Sequence, residues 1–238
     1  MLKQRIEQEQ FEPSLLGIFV NPFYIARKGL LQCIRSLGKN INGKTLDVGC
    51  GTKPYEKYFR SSEYIGLEIE TTLNRERKKA DIFYDGGAFP FKKGEFDSVV
   101  TNQVFEHVFN PSDFLNELNK VLKKDGVLLL TVPFVWDEHE QPHDFARYTS
   151  FGIKHLLEQH GFTVQQHLKS VNDIRVIGQL FNGYLYKKTV HNKLLRQVVT
   201  LMIMSMVTIV ASLFAAILPS NDDLYLDNII LARKVKNV

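Results

Sequence analysis

Residues 45 to 52 read Thr45-Leu46-Asp47-Val48-Gly49-Cys50-Gly51-Thr52. A short strand-forming run here breaks into alternate glycines. Glycine is used where a backbone must turn sharply or lie against a ligand, so the run predicts a buried strand whose C-terminal end opens on a small-molecule pocket. The dinucleotide-binding form of such a loop needs G-x-G-x-x-G, its third glycine packing a helix onto the strand. That position is Pro54, which weakens a nicotinamide reading.

Working outward, short apolar runs bounded by turn formers predict strands at Thr45 to Val48, Tyr64 to Glu68, Ile82 to Tyr84, Phe96 to Thr101 and Val127 to Val132. Between the last two, Asn110 and Pro111 open a helix. Phe114, Leu115, Leu118 and Leu122 give it one apolar face, and Asp125-Gly126 is expected to close it. Phe23 to Leu37 and Ser150 to His160 also carry helical spacing and end at Gly38 and Gly161. Strands are expected again at Phe162 to Leu168 and at Leu224 to Val235. The alternation predicts an α/β fold: a Rossmann-like, doubly wound, mostly parallel sheet with an apolar helical insertion before the last strand. The expected divisions are a helical lead-in over 1–39, the core over 40–171, a helical region over 172–221 and a closing strand within 222–238.

The composition of the 238 residues, 44% hydrophobic and 24% charged, suits one main globular domain. A formal charge of +4 comes with no aromatic-interleaved Lys/Arg stripe, so no nucleic-acid partner is expected. Cys33 and Cys50 are far apart and make no C-x-x-C pair, which fits a reducing compartment. Met1 to Pro13 is charged and Gln-rich rather than apolar, so a signal peptide is not expected.

The chemistry follows from the ends of the strands. S-adenosylmethionine carries no phosphate. Its pocket needs backbone N–H groups for a carboxylate and an acidic group near the amino end, which Asp47 supplies. Glu68 closes the Tyr64-Ile65-Gly66-Leu67-Glu68 run, where a carboxylate accepts hydrogen bonds from a ribose diol. Four ordered motifs now stand together: D-V-G-C-G-T from Asp47, Y-I-G-L-E from Tyr64, Y-D-G-G-A-F-P-F from Tyr84 and F-D-S-V-V-T-N-Q-V-F-E-H-V from Phe96. In this order they resemble the class I S-adenosylmethionine-dependent methyltransferases, specifically the methyltransferase-11-like branch, over roughly Asn40 to Phe162. The resemblance implies cofactor binding by Asp47, Gly49, Cys50, Gly51 and Glu68, with Glu68 in place of the commoner aspartate. It also places Asp85 and Gly86 beside the adenine and Gln103 along the cofactor. No nucleophilic chemistry is assigned to Cys50, which has no histidine paired with it in sequence.

His139-Glu140-Gln141-Pro142-His143 matches the letters of the H-E-x-x-H zinc motif, but Pro142 opposes the continuous helix that motif requires, and no metal is expected. The stretch Trp136 to Thr149 is read instead as a substrate loop, dense in titratable groups. Glu106, His107, His139, Asp144 and Arg147 are the expected substrate contacts and His143 the expected general base. Pro142 to Thr149 resembles the P-H-D-x-x-R-Y/F-T segment of methyltransferases found with cell-surface glycan biosynthesis, which implies a sugar or lipid-linked acceptor.

No charged residue occurs from Gln197 to Asn221, and 198–218 is long enough to cross a hydrocarbon core. Lys187, Lys188, Lys193 and Arg196 precede it and Asp222 and Asp223 follow, which keeps the upstream side cytoplasmic if the segment meets a membrane. A single span, a shallowly inserted monotopic helix and a helix buried in protein or in a dimer contact all remain open. A span would put the closing strand beyond the bilayer. The resulting expectation is a cytoplasmic-facing, membrane-associated methyltransferase acting on a hydroxyl of a lipid-linked glycan or another membrane-proximal small molecule. A membrane-tethered cofactor-binding protein without turnover and a nicotinamide-dependent reductase are the alternatives, and the sequence leaves the oligomeric state open.

Overall fold

The computed structural model describes residues 2–237. Its strands are β1 Asn42–Val48, β2 Arg60–Ile69, β3 Ile82–Tyr84, β4 Phe96–Asn102, β5 Leu122–Pro133, β6 Phe162–Ser170 and β7 Asp227–Lys234. They form one seven-stranded sheet in the order β3-β2-β1-β4-β5-β7-β6. The pairs β1–β2, β1–β4, β2–β3 and β4–β5 are parallel. Strand order therefore reverses between β1 and β4, and the glycine run that leaves β1 sits at this switch point, where open α/β sheets bind ligands. Gly161 O accepts from Val235 N at one end of β6 and Ser170 O accepts from Leu226 N at the other, so β7 runs antiparallel to β6. This is the mostly parallel, doubly wound sheet that the alternation predicts.

The helices are α1 Leu2–Gln8, α2 Gly17–Val20, α3 Tyr24–Leu37, α4 Thr72–Arg77, α5 Pro111–Val121, α6 Ser150–Gln159, α7 Arg175–Thr189, α8 Lys193–Val199 and α9 Ser205–Ala215. The predicted helical segments become α3, α5 and α6. Phe114, Leu115, Leu118 and Val121 of α5 pack into the core with Leu46, Val48, Val99, Leu128 and Leu130 of the central strands. Each such side chain contributes about 1.5–3 kcal/mol by leaving water. Thr149 Oγ1 caps α6 by accepting from Gly152 N at 3.1 Å.

One local reading differs from the structure. Asp125-Gly126 does not close α5, which ends at Val121 with Leu122 already extended. Asp125 instead takes φ +62° inside β5, a conformation that Asp tolerates in a bend. Between β1 and β2 the chain makes only a 3₁₀ turn, Glu56–Tyr58, where a doubly wound unit more often places a helix. Pro54 and Lys53 at φ +56° interrupt any helix there.

The chain divides into two compact units, one of Met1–Cys33, Val135–Asp137 and Lys169–Asp227, the other of Ile34–Phe134, Glu138–Leu168 and Asn228–Val238. In the first, α7 runs out and the continuous α8–α9 segment runs back against it. Gly178 lies so close that a Cβ there would stand 2.8 Å from Ala211 Cβ. Asn182 Nδ2 donates to Met204 O at 3.2 Å and Thr208 Oγ1 at 3.1 Å across the same seam. Thr200–Met204, between α8 and α9, is a π-helical turn. Asn221 N then donates to Asn172 O at 2.7 Å, so the chain returns to the point from which it left. Lys193–Ala215 is long and apolar enough to cross a membrane. The last strand, β7, follows it in the chain and pairs within the sheet.

Candidate active site

At the end of β1 the chain turns through Gly49 at φ +72° and Gly51 at φ +54°. Gly49 N and Cys50 N donate to Leu67 O at 2.9 and 3.2 Å, which pins the loop to β2. A Cβ on Gly49 would lie 2.3 Å from Val104 Cγ2, whereas one on Gly51 would meet only Lys78 Nζ, at 3.9 Å. One side of the loop is packed and the other is an open cradle. Gly51 N donates to Glu68 Oε2 at 3.0 Å, and Ile69 N donates to Glu68 Oε1 at 3.3 Å. Glu68 is only 8% exposed and Lys78 Nζ stands 3.9 Å from Oε2. A carboxylate has about four acceptor positions, so Glu68 keeps capacity for a diol.

Asp47 is buried and turns its carboxylate to the Tyr64 phenol, which donates to Oδ2 at 2.7 Å. Burial pushes Asp47 up to about 7; the Tyr64 hydrogen bond opposes this rise and the charge of Glu68 adds to it. Asp47 thus braces the loop from behind through a partner, Tyr64, that the sequence reading did not single out as one. The signal is register: Asp47 pairs with Gly66, two residues beyond Tyr64. The Cys50 thiol is pushed up to about 12, first by burial and then by Asp47, which removes it as a nucleophile near neutral pH.

Asp85 follows β3, exposed, with Oδ1 accepting from Gly87 N at 2.9 Å, and the adjoining Gly86 is also exposed. Gln103 follows β4 in the left-handed region, φ +54°, anchored by its N to Thr131 O at 3.0 Å and by Nε2 to Thr131 Oγ1 at 3.3 Å. The glycine loop, Glu68 and Asp85 therefore leave the carboxyl ends of β1, β2 and β3, three strands adjacent in the sheet. What fits S-adenosylmethionine here is an open backbone turn at Gly51, a shielded carboxylate beside it and a second carboxylate one strand further on.

A second cluster forms around Glu106, fully buried in the 3₁₀ turn Phe105–His107. Glu106 O accepts from Phe145 N at 2.9 Å and Ala146 N at 3.3 Å, stapling the expected substrate loop to this turn. His107 Nε2 and His139 Nε2 each stand 3.8 Å from Glu106 Oε1. Arg147 grips both oxygens of Asp144 at 2.6 Å, and that hydrogen-bonded pair holds Asp144 down to about 2. All five expected substrate contacts thus meet. The exposed ring of His143 lies beside Phe145, and this residue joins the cluster through its carbonyl, 2.6 Å from His107 Nδ1. The pairing of His139 with His143 suggested by H-E-x-x-H has no helix to carry it.

A sheet in this order with a glycine loop and a carboxylate at its switch point defines the class I methyltransferase fold. The family description "Methyltransferase domain" matches residues 46–130, so this part of the chain carries a methyltransferase domain. An uncharacterised protein of Methanocaldococcus jannaschii is 31% identical over 137 residues, 52% of this chain and 66% of that protein. An uncharacterised methyltransferase of Schizosaccharomyces pombe is 34% identical over 103 residues, 35% of this chain and 37% of that protein. The chain thus spans just under two thirds of the first relative and little over a third of the second. Among solved structures, a putative methyltransferase of Haloferax volcanii, solved with its Trm112 activator, matches with a TM-score of 0.55 at 13% identity over 93% of each chain. Phosphoethanolamine N-methyltransferase 2 of Haemonchus contortus matches with a TM-score of 0.53 at 16% identity, covering 98% of this chain and 57% of that one. The [4+2]-cyclase SpnF matches at 0.56 and 17% identity over 88% and 82%. At these identities the likeness is one of fold.

Proposed function

We propose that the chain is an active methyltransferase that moves the methyl group of S-adenosylmethionine to a hydroxyl of a membrane-proximal small molecule, such as a lipid-linked glycan. The observation that carries this reading is the 3.0 Å bond from Gly51 N to Glu68, which joins an open glycine cradle to a shielded carboxylate at the sheet's switch point. Gly49, Cys50 and Gly51 would hold the methionine end, Glu68 the ribose, and Asp85, Gly86 and Gln103 the base side, with Asp47 bracing the loop. When bound, the cofactor supplies a methyl group on a sulfonium, so alignment does most of the work. The acceptor's proton still needs a receiver, and His143, exposed on the substrate loop, is the proposed one. His139, Asp144 and Arg147 would orient the acceptor beside Glu106 and His107.

The membrane part of the reading rests on the α7/α8–α9 hairpin. Leu201, Met202, Ile203, Met206, Leu213 and Phe214 are exposed large apolar residues on its returning arm. Its tip carries Lys187, Lys188, Lys193 and Arg196, which disfavours burying the tip in hydrocarbon. The hairpin would instead lie flat on the cytoplasmic leaflet, apolar face down and basic tip among the headgroups. A nicotinamide reductase finds no support in the family match. Incubation with methyl-labelled S-adenosylmethionine and either lipid or soluble extract tests the reading. Label entering the lipid fraction is expected. Label entering neither fraction, despite cofactor binding, would favour a binding protein without turnover.

A further inference from the structure

The pocket at the glycine loop makes no use of the outer sides of two imidazole rings, and these carry a separate argument. His107 Nδ1 lies 2.6 Å from the His143 carbonyl oxygen, which can only accept, so Nδ1 carries the proton. His139 Nδ1 has Asp144 Oδ2 at 3.3 Å, on a carboxylate that Arg147 grips through both oxygens at 2.6 Å. Arg147 Nη2 stands 3.4 Å from the same nitrogen, but its shorter bond, 2.6 Å, goes to Asp144. A neutral ring protonated at Nδ1 bears its lone pair on Nε2. Both Nε2 atoms face the fully buried Glu106 carboxylate at 3.8 Å, and one ligand atom from each of the three residues lies within 4.8 Å of the others. Two ring nitrogens and a carboxylate oxygen thus converge on one point, a donor set that suits a metal ion. A carbonyl or carboxylate behind each imidazole is the arrangement that fixes the tautomer of metal-binding histidines.

We propose that Glu106, His107 and His139 form a binding site for one divalent transition-metal ion, with Asp144 and the His143 carbonyl as the groups that orient the two rings. Two imidazoles and one carboxylate favour zinc, cobalt, manganese or iron(II) over magnesium or calcium. Metal bonds of about 2.0–2.2 Å in a tetrahedral site place ligand atoms roughly 3.3 Å apart, so each ring nitrogen must close on Glu106 by about half an ångström and the two rings on each other by up to about 1.5 Å. The two rings are 18% and 30% exposed and can rotate that far. Three protein ligands leave at least one position open, the pattern of a catalytic rather than a structural ion. The site reverses the expectation of no metal: His139 has a ligand-type geometry, with partners 32 and 33 positions upstream, His107 and Glu106, rather than with His143. If the methyltransferase reading above is right, the open position would take the acceptor hydroxyl oxygen and ease loss of its proton; that step rests on that reading, whereas the site does not.

Titration of chelator-treated full-length protein with cobalt(II) chloride, without S-adenosylmethionine, tests the site by calorimetry and by visible absorption. The expected result is one equivalent bound, with ligand-field bands that zinc abolishes. His139→Ala and Glu106→Gln should each weaken binding at least roughly 10-fold, and Asp144→Asn should shift the bands while weakening binding about 10–100-fold. The partly exposed His139→Ala variant guards against a folding artefact, since its melting temperature in chelator should match that of the parent protein. No saturable cobalt binding, or equal binding by parent and His139→Ala protein, overturns the site. Either outcome leaves cofactor affinity as a separate result, so failure of the metal site and failure of the methyltransferase reading can be told apart.

Discussion

Glu68 concentrates the argument at the scale of single residues. It is shielded, bonded to Gly51 N and open to a ligand, so Glu68→Gln removes charge-assisted hydrogen bonds worth about 1.5–3 kcal/mol in total while keeping its shape. S-adenosylmethionine affinity should fall roughly 10–100-fold by calorimetry with little change in melting temperature. Gly49→Ala should behave differently. With φ +72° and a Cβ 2.3 Å from Val104 Cγ2, it should lower stability by about 1–3 kcal/mol as well as cofactor affinity, as read by thermal melts. Asp47 sets a pH dependence. Its pKa rises from 3.8 to about 7 on folding; between these values the unfolded chain has lost the proton that the folded chain keeps. Stability therefore falls as pH rises through that window. Asp47→Asn should flatten that fall, so the melting-temperature difference between parent and variant should move in the variant's favour from about pH 4 to pH 7. Glu68 was legible because its place is fixed by strand ends close in sequence. The meeting of Glu106, His107 and His139 was not, because it depends on how the 138–148 loop folds back, and spacing says nothing of that.

At the scale of elements, periodicity located the helices and strands, and turn chemistry misplaced one boundary. Asp125-Gly126 has the letters of a helix end, but Leu122 already pairs with Phe96 in the β4–β5 ladder, and sheet pairing outweighs a local stop signal. The apolar run before β7 was legible as a helix, but its partner was not. The close Gly178–Ala211 approach and the Asn182 bonds to Met204 and Thr208 make a hairpin of what reads as one segment. Asn182→Ala leaves that seam without a donor and should cost about 1–3 kcal/mol in thermal or denaturant unfolding. On the outward face the expectation is opposite. Met202 and Leu213 are 66% and 63% exposed, so Met202→Glu with Leu213→Glu should leave stability within about 0.5 kcal/mol yet abolish co-flotation with anionic lipid vesicles. Unchanged flotation would contradict the flat-lying hairpin.

For the whole molecule, the strand order places the glycine loop at the reversal between β1 and β4, and this relation joins fold to function. The class was readable because the four motifs fall, in chain order, on β1 to β4 or at their ends. The acceptor was not, because acceptor contacts lie on loops whose shape no periodicity encodes. The account rests on one claim, that the loop from Asp47 to Thr52 and Glu68 bind S-adenosylmethionine. Isothermal titration of the full-length protein tests it most directly, with NADH as the control and Glu68→Gln alongside. The account predicts saturable one-to-one binding of S-adenosylmethionine, weakened by the substitution, and no heat with NADH. Heat with NADH and none with S-adenosylmethionine would contradict it.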